Sequence, residues 1–334
     1  MKLDYSFVIP VYNRPDEIRE LLQSMEKIAF DRDFEIVIVE DGSDVPADKV
    51  VEEFRDKLQI SYYSKPNSGP GSSRNYGMER AKGNYFLILD SDVIMPPDYL
   101  EKVDSFLKVN YSDCFGGPDA AHKSFSDIQK AIDFSMTSFL TTGGIRGKKR
   151  SINKFQPRSF NMGISRKAFE KTKGFGRIHP GEDPDLSMRI QKAGFHTCLI
   201  EGARVFHKRR IDWKKFYQQV YKFGLVRPIL NCWHKGSAKI TYWFPTLFVL
   251  GFLVSLIFTL MGFWIFSAAY LFYFLIIGLD AAMKHKNLYI GLLAILATII
   301  QFIGYGYGFL KSYWHISVLK ENPEKQYPNL FFSE

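Results

Sequence analysis

An α/β domain on a mostly parallel sheet flanked by helices, followed by about three transmembrane helices, is the fold this 334-residue sequence predicts. Three observations predict it. Strand-like apolar runs alternate with helical periodicity through the first part of the chain. One run, Tyr85-Phe86-Leu87-Ile88-Leu89, stops abruptly on Asp90-Ser91-Asp92. Near residue 240 a mixed, charged sequence gives way to one nearly free of charge.

Tyr5 to Pro10 reads as the first strand, ended by Pro10. Pro15-Asp16 opens a helix whose apolar positions Ile18, Leu21, Leu22, Met25 and Ile28 keep helical spacing. Phe34 to Val39 is a second strand that ends on Glu40-Asp41-Gly42-Ser43. A helix over Lys49–Leu58 and a short strand near Ile60–Tyr63 follow. The Gly/Ser/Pro loop Asn67 to Ser73 then leads into a helix from about Arg74 to Ala81, and Tyr85–Leu89 is the next strand. Such alternation predicts parallel pairing with right-handed crossovers. Further on, Phe125–Leu140 reads as helix and Thr141–Arg150 as a basic loop.

Asn13, Asp41, the Gly69–Arg74 loop and Asp90/Asp92 each follow the carboxyl end of a strand. They are expected to converge on one rim, where open α/β sheets bind ligands. Asp90 and Asp92, spaced i, i+2, point to one side of an extended chain. Two hard carboxylates there suit Mn²⁺ or Mg²⁺ carrying a diphosphate. Taken alone, the pair is equally a polar loop after a strand. In Gly181-Glu182-Asp183-Pro184-Asp185-Leu186, Pro184 suits a first helical turn, Asp183 an N-cap and Gly194 the stop. The same residues admit a second use, Asp183 as a general base with Glu182 or Asp185 orienting it.

Trp243–Met283 and Leu288–Leu310 are the apolar stretches, and one crossing needs about 20 residues. The expected spans are approximately 243–261, 264–283 and 288–310, the first two joined near Met261-Gly262-Phe263. Met1-Lys2-Leu3-Asp4 leads straight into a strand, and the Lys284-His285-Lys286 turn is basic. Both predict a multi-pass protein of a cell inner membrane with its soluble part cytoplasmic. Three crossings would put the tail from about Lys311 on the far side. The expected domains are 1–210, an interfacial segment 211–240, a membrane region 241–310 and a tail 311–334.

Much of the excess behind the net charge of +9 lies in Arg204–Lys239, interleaved with Trp213, Phe216, Tyr217, Tyr221, Phe223 and Trp233. That placement predicts a membrane surface as partner and no nucleic acid. Cys114, Cys198 and Cys232 lack metal-ligand spacing and read as free thiols of a reducing compartment. Gly304 and Gly308 form a small-x3-small pair, suited to helix packing within the chain or to a homo-oligomer through the membrane helices.

In order, Val8-Ile9-Pro10-Val11-Tyr12-Asn13, Glu40-Asp41-Gly42-Ser43, Asn67 through Arg74-Asn75, Asp90-Ser91-Asp92, Gly181 to Leu186 and Val205-Phe206-His207 resemble the family-2 glycosyltransferases with the GT-A fold. The resemblance covers about residues 4 to 210. It implies sugar transfer from a nucleotide-sugar, here preferentially a UDP-sugar, with inversion at the anomeric carbon. It implies that Asp41 and Arg74 contact the nucleoside, that Pro10 and Tyr12 line its pocket, and that Asp90 sits nearer the ribose and sugar. Asp92 would hold Mn²⁺ or Mg²⁺ with His207, and Asp183 matches the catalytic base.

No Gln-x-x-Arg-Trp segment of the processive synthases is present, so a single addition to a lipid-linked or cell-envelope glycan is expected. Two alternatives stay open. One is a non-catalytic nucleotide-sugar-binding membrane scaffold. The other is a sugar-phosphate nucleotidyltransferase, for which Val11-Tyr12-Asn13-Arg14-Pro15 lacks the usual glycine loop.

Overall fold

The computed structural model describes residues 2–121, 125–142, 155–207 and 212–332. Most of the basic run expected over Thr141–Arg150 lies outside the described residues. The described chain forms two compact units, one of residues 2–121, 155–207 and 331–332, the other of residues 125–142 and 212–330. The units change over close to residue 210, with residues 125–142 grouped with the apolar helices and residues 331–332 with the first unit.

In the first unit the order is β1 (Tyr5–Val11), α1 (Pro15–Met25), β2 (Glu35–Asp41), α2 (Asp48–Glu52), β3 (Ile60–Lys65), α3 (Pro70–Arg80), β4 (Tyr85–Leu89), β5 (Val93–Ile94) and α4 (Tyr99–Val109). Strands β6 (Cys114–Gly116) and β7 (Asp119–Ala121) follow. Residues after 155 add β8 (Asn161–Ser165), α7 (Arg166–Thr172), α8 (Glu182–Lys192), β9 (Thr197–Leu199) and β10 (Val205–His207). The second unit supplies α5 (Asp127–Thr137) and α6 (Phe139–Thr142), and later α9 (Trp213–Trp233), α10 (Phe244–Leu260), α11 (Ile265–His285), α12 (Leu288–Ser312) and α13 (Pro323–Gln326).

The main sheet runs β3-β2-β1-β4-β8-β6-β9, and β5-β10-β7 forms a small second sheet. Pairing is parallel from β3 through β4, as the alternation predicts. Strand β8 is antiparallel to both β4 and β6. Side chains of period two send Phe7, Ile9 and Val11 toward α1 and α4, and Val8, Val39, Phe86 and Ile88 toward α3, α7 and α8. Each such fully buried large side chain stabilises the fold by about 1.5–3 kcal/mol. A one-residue slip would exchange the two faces, so register is fixed and the strand ends stay level.

Two helices differ from expectation. The segment after β2 is helical only over Asp48–Glu52 and ends in turns. Helix α3 starts at Pro70, so Gly71, Ser72 and Ser73 form its first turn. Proline without an N–H is well suited to that first position.

In the second unit, the helical segments Ile240–Leu260, Ile265–His285 and Leu288–Val318 are long and apolar enough to cross a membrane. Helices α10 and α11 form an antiparallel hairpin, its tip held by Thr259 and Ser267 hydroxyls 2.7 Å apart. Helix α12 touches the hairpin toward its open end. Ile290 and Ala294 pack with Ile277 and Ala281 of α11, while Phe302 meets Phe244 and Phe248 of α10. Thr246 Oγ1 donates to the Gly306 carbonyl at 3.0 Å. The other side of α12 meets α5 and α9: Ala131 and Phe134 lie against Ala294, and Phe216 and Val220 against Ala297. Gly304 and Gly308 face α9, where an added Cβ would lie 2.7 Å from Val220 Cγ2 and 2.4 Å from the Tyr221 carbonyl oxygen. The small-residue pair thus serves a contact within the chain.

The expected far-side tail is not what the structure holds. Phe331 pairs with Ile178, and the Phe332 N–H donates to the Arg177 carbonyl at 3.1 Å, both in the first unit. Residues in hydrogen-bond contact cannot lie on opposite sides of a bilayer, so any crossings between 207 and 331 are even in number.

Candidate active site

The carboxyl ends of β1, β2 and β4 carry the polar landmarks. At β1, Tyr12 is exposed, and Asn13 adopts φ 53°. The Asn13 N–H donates to Ser43 Oγ at 2.7 Å, and its Oδ1 accepts from the Val45 N–H at 3.0 Å. Pro10 is half-buried within β1. At the end of β2, buried Glu40 accepts from the Ala47 N–H and the Tyr62 hydroxyl, each at 2.8 Å, and also from Ser43. Asp41 is buried and accepts from the N–H groups of Ser68 and Gly69, each at 2.9 Å, while Lys65 pairs with it. Its carboxylate thereby fixes the loop that opens α3.

One turn into α3, Arg74 is the centre of the site. Its side chain is 5 % exposed, Nη2 lies 2.7 Å from Asp90 Oδ1, and Nη1 lies 3.5 Å from Glu182 Oε1. The Phe175 ring sits 5.3 Å from the guanidinium carbon. Arg74 therefore joins the end of β4 to the start of α8, and its buried Nε has no hydrogen-bond partner. Arg74 and Asp41, expected at the nucleoside, each have protein partners.

Helix α8 begins at Glu182 with Gly181 as N-cap and no capping side chain, so Asp183 does not have the N-cap role its position suggested. Buried Glu182 lies 2.9 Å from His179 Nδ1. Burial acts to raise its carboxyl, but the hydrogen bond and charge of His179, with the charge of Arg74, outweigh this and hold it below the ordinary range. Asp183 behaves oppositely. Its buried Oδ1 has no hydrogen-bond partner, and burial with the neighbouring Glu182 charge pushes its carboxyl up to about 6, against the opposing effects of Arg74 and Ser159. Asp185 accepts from Arg189 Nε and Nη2 at 2.9 and 2.7 Å, and Arg189 in turn donates to the Thr172 and Gly174 carbonyls. Asp185 thus ties α8 to the end of α7.

Asp90 and Asp92 flank Ser91 with side chains 32 % and 15 % exposed, and Asp92 Oδ2 lies 3.1 Å from Arg14 Nη1. Strand β10 pairs antiparallel with β5, setting His207 opposite Val93, the residue after Asp92. Among the described residues, no group of three or more His, Cys, Asp or Glu side chains is arranged to hold a metal. Sequence reasoning missed His179, Lys65, Ser159 and Phe175. The first lies two residues before Gly181 in a Pro/Gly turn, a weak signal; the others carry no motif.

The profile of Glycosyl transferase family 2 matches residues 6–173, half of the chain. The chain belongs to glycosyl transferase family 2. Among curated relatives, it is 33% identical over 114 residues to the poly(ribitol-phosphate) beta-N-acetylglucosaminyltransferase TarS of Staphylococcus aureus strain Mu50, covering 33% of this chain and 20% of TarS. It is 25% identical over 235 residues to chondroitin synthase of Escherichia coli, covering 61% of this chain and 34% of that protein. The chain thus matches only about a fifth to a third of the length of these two relatives. Of solved structures, the mannosyltransferase PcManGT of Pyrobaculum calidifontis with GDP-Man and Mn²⁺ superposes with TM-score 0.61 at 15% identity, covering 94% of this chain and 88% of that one. TarS residues 1–349 with UDP-GlcNAc gives 0.50 at 17%, covering 93% and 92%. These likenesses establish a GT-A-like fold.

Removing one partner of a buried charge network leaves the others uncompensated, at about 3–5 kcal/mol. Arg74→Met is expected to lose stability of that order in denaturant melts, and adding Glu182→Gln should restore part of it. An unchanged midpoint in Arg74→Met would contradict the bridging role.

Proposed function

We propose that the chain is a membrane-attached inverting glycosyltransferase, moving a sugar from a nucleotide-sugar to a hydroxyl of a lipid-linked or cell-envelope glycan at the cytoplasmic face of an inner membrane. Asp183 carries this reading. A carboxylate with an unpartnered oxygen, raised to about 6, and free of capping duty has the attributes of a general base. The acceptor oxygen attacks the anomeric carbon in line, and its proton passes to Asp183. The bond to the diphosphate breaks on the opposite face, and the nucleoside diphosphate leaves with the electron pair. One displacement inverts the centre.

The donor class is supported by the UDP-GlcNAc and GDP-Man held by the solved neighbours. A UDP-sugar is the preferred assignment. A divalent cation fits the rim, since Mg²⁺ that keeps water and substrate phosphate oxygens needs only one or two carboxylates. Asp92 would hold it, with Asp90 and His207 alongside. In Arg74, one guanidinium faces both Asp90 and Glu182, so a further cation is electrostatically welcome there. When bound, such an ion offsets the charge that accumulates on the departing diphosphate.

For the membrane, the reading is that the α10–α11 hairpin crosses and returns while α12 lies across its open end. Three facts support it. Crossings must be even, α12 touches both hairpin helices near that end, and its other face meets α9, which carries Lys214, Lys215, Lys222 and Arg227. Such a basic, aromatic helix belongs at the headgroup level.

Detergent-purified protein offered UDP-, GDP- and dTDP-sugars with Mn²⁺ or Mg²⁺ and membrane lipid extract should release nucleoside diphosphate from one donor. Asp183→Asn should lose about 10²–10⁴-fold, the range of general-base catalysis. The base acts ionised, so kcat should rise with pH through about 6 and then level. The native state holds the Asp183 proton more tightly than the unfolded chain, so stability falls as pH rises from about 4 to 6. Asp183→Asn should therefore melt higher than wild type at pH 8 and not at pH 4. Near-normal turnover in Asp183→Asn or Asp92→Ala would overturn the assignments, and binding without turnover would favour a scaffold.

In a Cys232→Ser background, single cysteines at Val109, Gly262, Lys286 and Lys320 test the membrane path. Impermeant maleimide should reach Gly262→Cys from one side and the other three from the opposite side. Labelling of Lys320→Cys from the side of Gly262→Cys would refute the even count.

A further inference from the structure

The segment after α13 returns to the first unit at a defined place. Phe331 forms an antiparallel bridge with Ile178, and the Phe332 N–H donates to the Arg177 carbonyl at 3.1 Å. The Phe332 ring fills the space beside Gly69. A Cβ built on Gly69 would lie 2.3–2.6 Å from three of its ring carbons, and Gly69 holds φ +88°. The ring also faces His179, with centroids 6.0 Å apart and planes at 51°.

Gly69 and His179 both lead into the site. The Gly69 N–H donates to Asp41 Oδ2 at 2.9 Å at the point where α3 begins. His179 Nδ1 lies 2.9 Å from Glu182, which pairs with Arg74 and adjoins Asp183. Gly69 supplies no side chain with which its loop could be packed, and glycine is the residue with most backbone freedom to lose. An aromatic ring inserted between the two loops supplies the missing contact area with few rotatable bonds.

We propose that Phe332 is a positioning residue for glycosyl transfer, wedged between Gly69 and His179 so that the donor-side loop and the turn bearing Asp183 keep a fixed spacing. The role rests on the glycosyl-transfer reading given above. It makes the segment that follows the membrane helices a working part of the site. Displacements of about 1 Å in such sites cost on the order of 10²-fold in rate.

The test compares full-length wild type, Phe332→Ala and Phe332→Tyr. Phe332→Ala should lower kcat roughly tenfold to hundredfold, with Kd for UDP (or the diphosphate that the donor screen identifies) changed less than threefold. Phe332→Tyr should recover most of the loss. Hydrogen exchange on the same proteins gives a readout independent of turnover. Amides of residues 68–73 and 178–183 should exchange faster in Phe332→Ala, while those of β1 and β4 stay unchanged. Exchange unaltered at both loops, or kcat within twofold of wild type, would overturn the proposal. A kcat loss that follows the melting temperature and that Phe332→Tyr fails to rescue would reduce the residue to a structural one and also overturn it. Should wild type turn over no nucleotide-sugar, the glycosyl-transfer reading fails, while the exchange result still decides whether Phe332 clamps the loops.

Discussion

A single buried guanidinium holds the site of this protein together. Arg74 reaches from the second turn of α3 to Asp90 at the end of β4 and to Glu182 at the start of α8. Each connection spans elements distant in sequence. A buried charge is tolerated only when partnered, so none of the three elements can move without exposing another to an unpaired charge. The guanidinium also acts to lower the carboxyl groups of both Glu182 and Asp183. Glu182, which touches both it and His179, is held below the ordinary carboxyl range, while burial and the neighbouring Glu182 charge raise the adjoining Asp183. Two carboxylates in consecutive positions thus acquire opposite characters, the usual condition for one to orient and the other to exchange a proton.

Around this centre the protein uses backbone more than side chains to shape its rim. Asp41 fixes the loop before α3 through two amide donors, and Asn13 bridges the loops after β1 and β2. The second unit applies a different economy. Its helices approach closely through Gly304 and Gly308, and α12 packs against α5, α9 and the α10–α11 hairpin. The bridge between Phe331 and Ile178 requires that any membrane crossings between 207 and 331 be even in number.

Much of this was legible in the sequence. The strand Tyr85–Leu89 appears with the bounds its apolar run implied, because a run that ends on Asp90 leaves no choice of terminus. The helix hairpin was equally plain, since charge is absent on both sides of Gly262. Asp41, Arg74, Asp90, Glu182 and Asp183 stand out in the sequence by their positions, but their partners do not. That Arg74 bridges Asp90 and Glu182 depends on packing that no local pattern encodes. The antiparallel β8 was hidden because Asn161–Ser165 is short and lacks alternation. The return of Phe331 and Phe332 was hidden for another reason: a three-helix count assumes every apolar helix crosses, and hydropathy does not report tilt.

The central claim is that Arg74 couples Asp90 to Glu182, beside Asp183. Calorimetric binding of the nucleoside diphosphate to Asp90→Asn, Glu182→Gln and the double variant measures that coupling, first with Arg74 and then with Arg74→Met. The account predicts non-additivity of about 1.4 kcal/mol or more, a tenfold effect, with Arg74 present and additivity without it. Additive effects in both backgrounds would show that the two ends of the site do not communicate through this guanidinium.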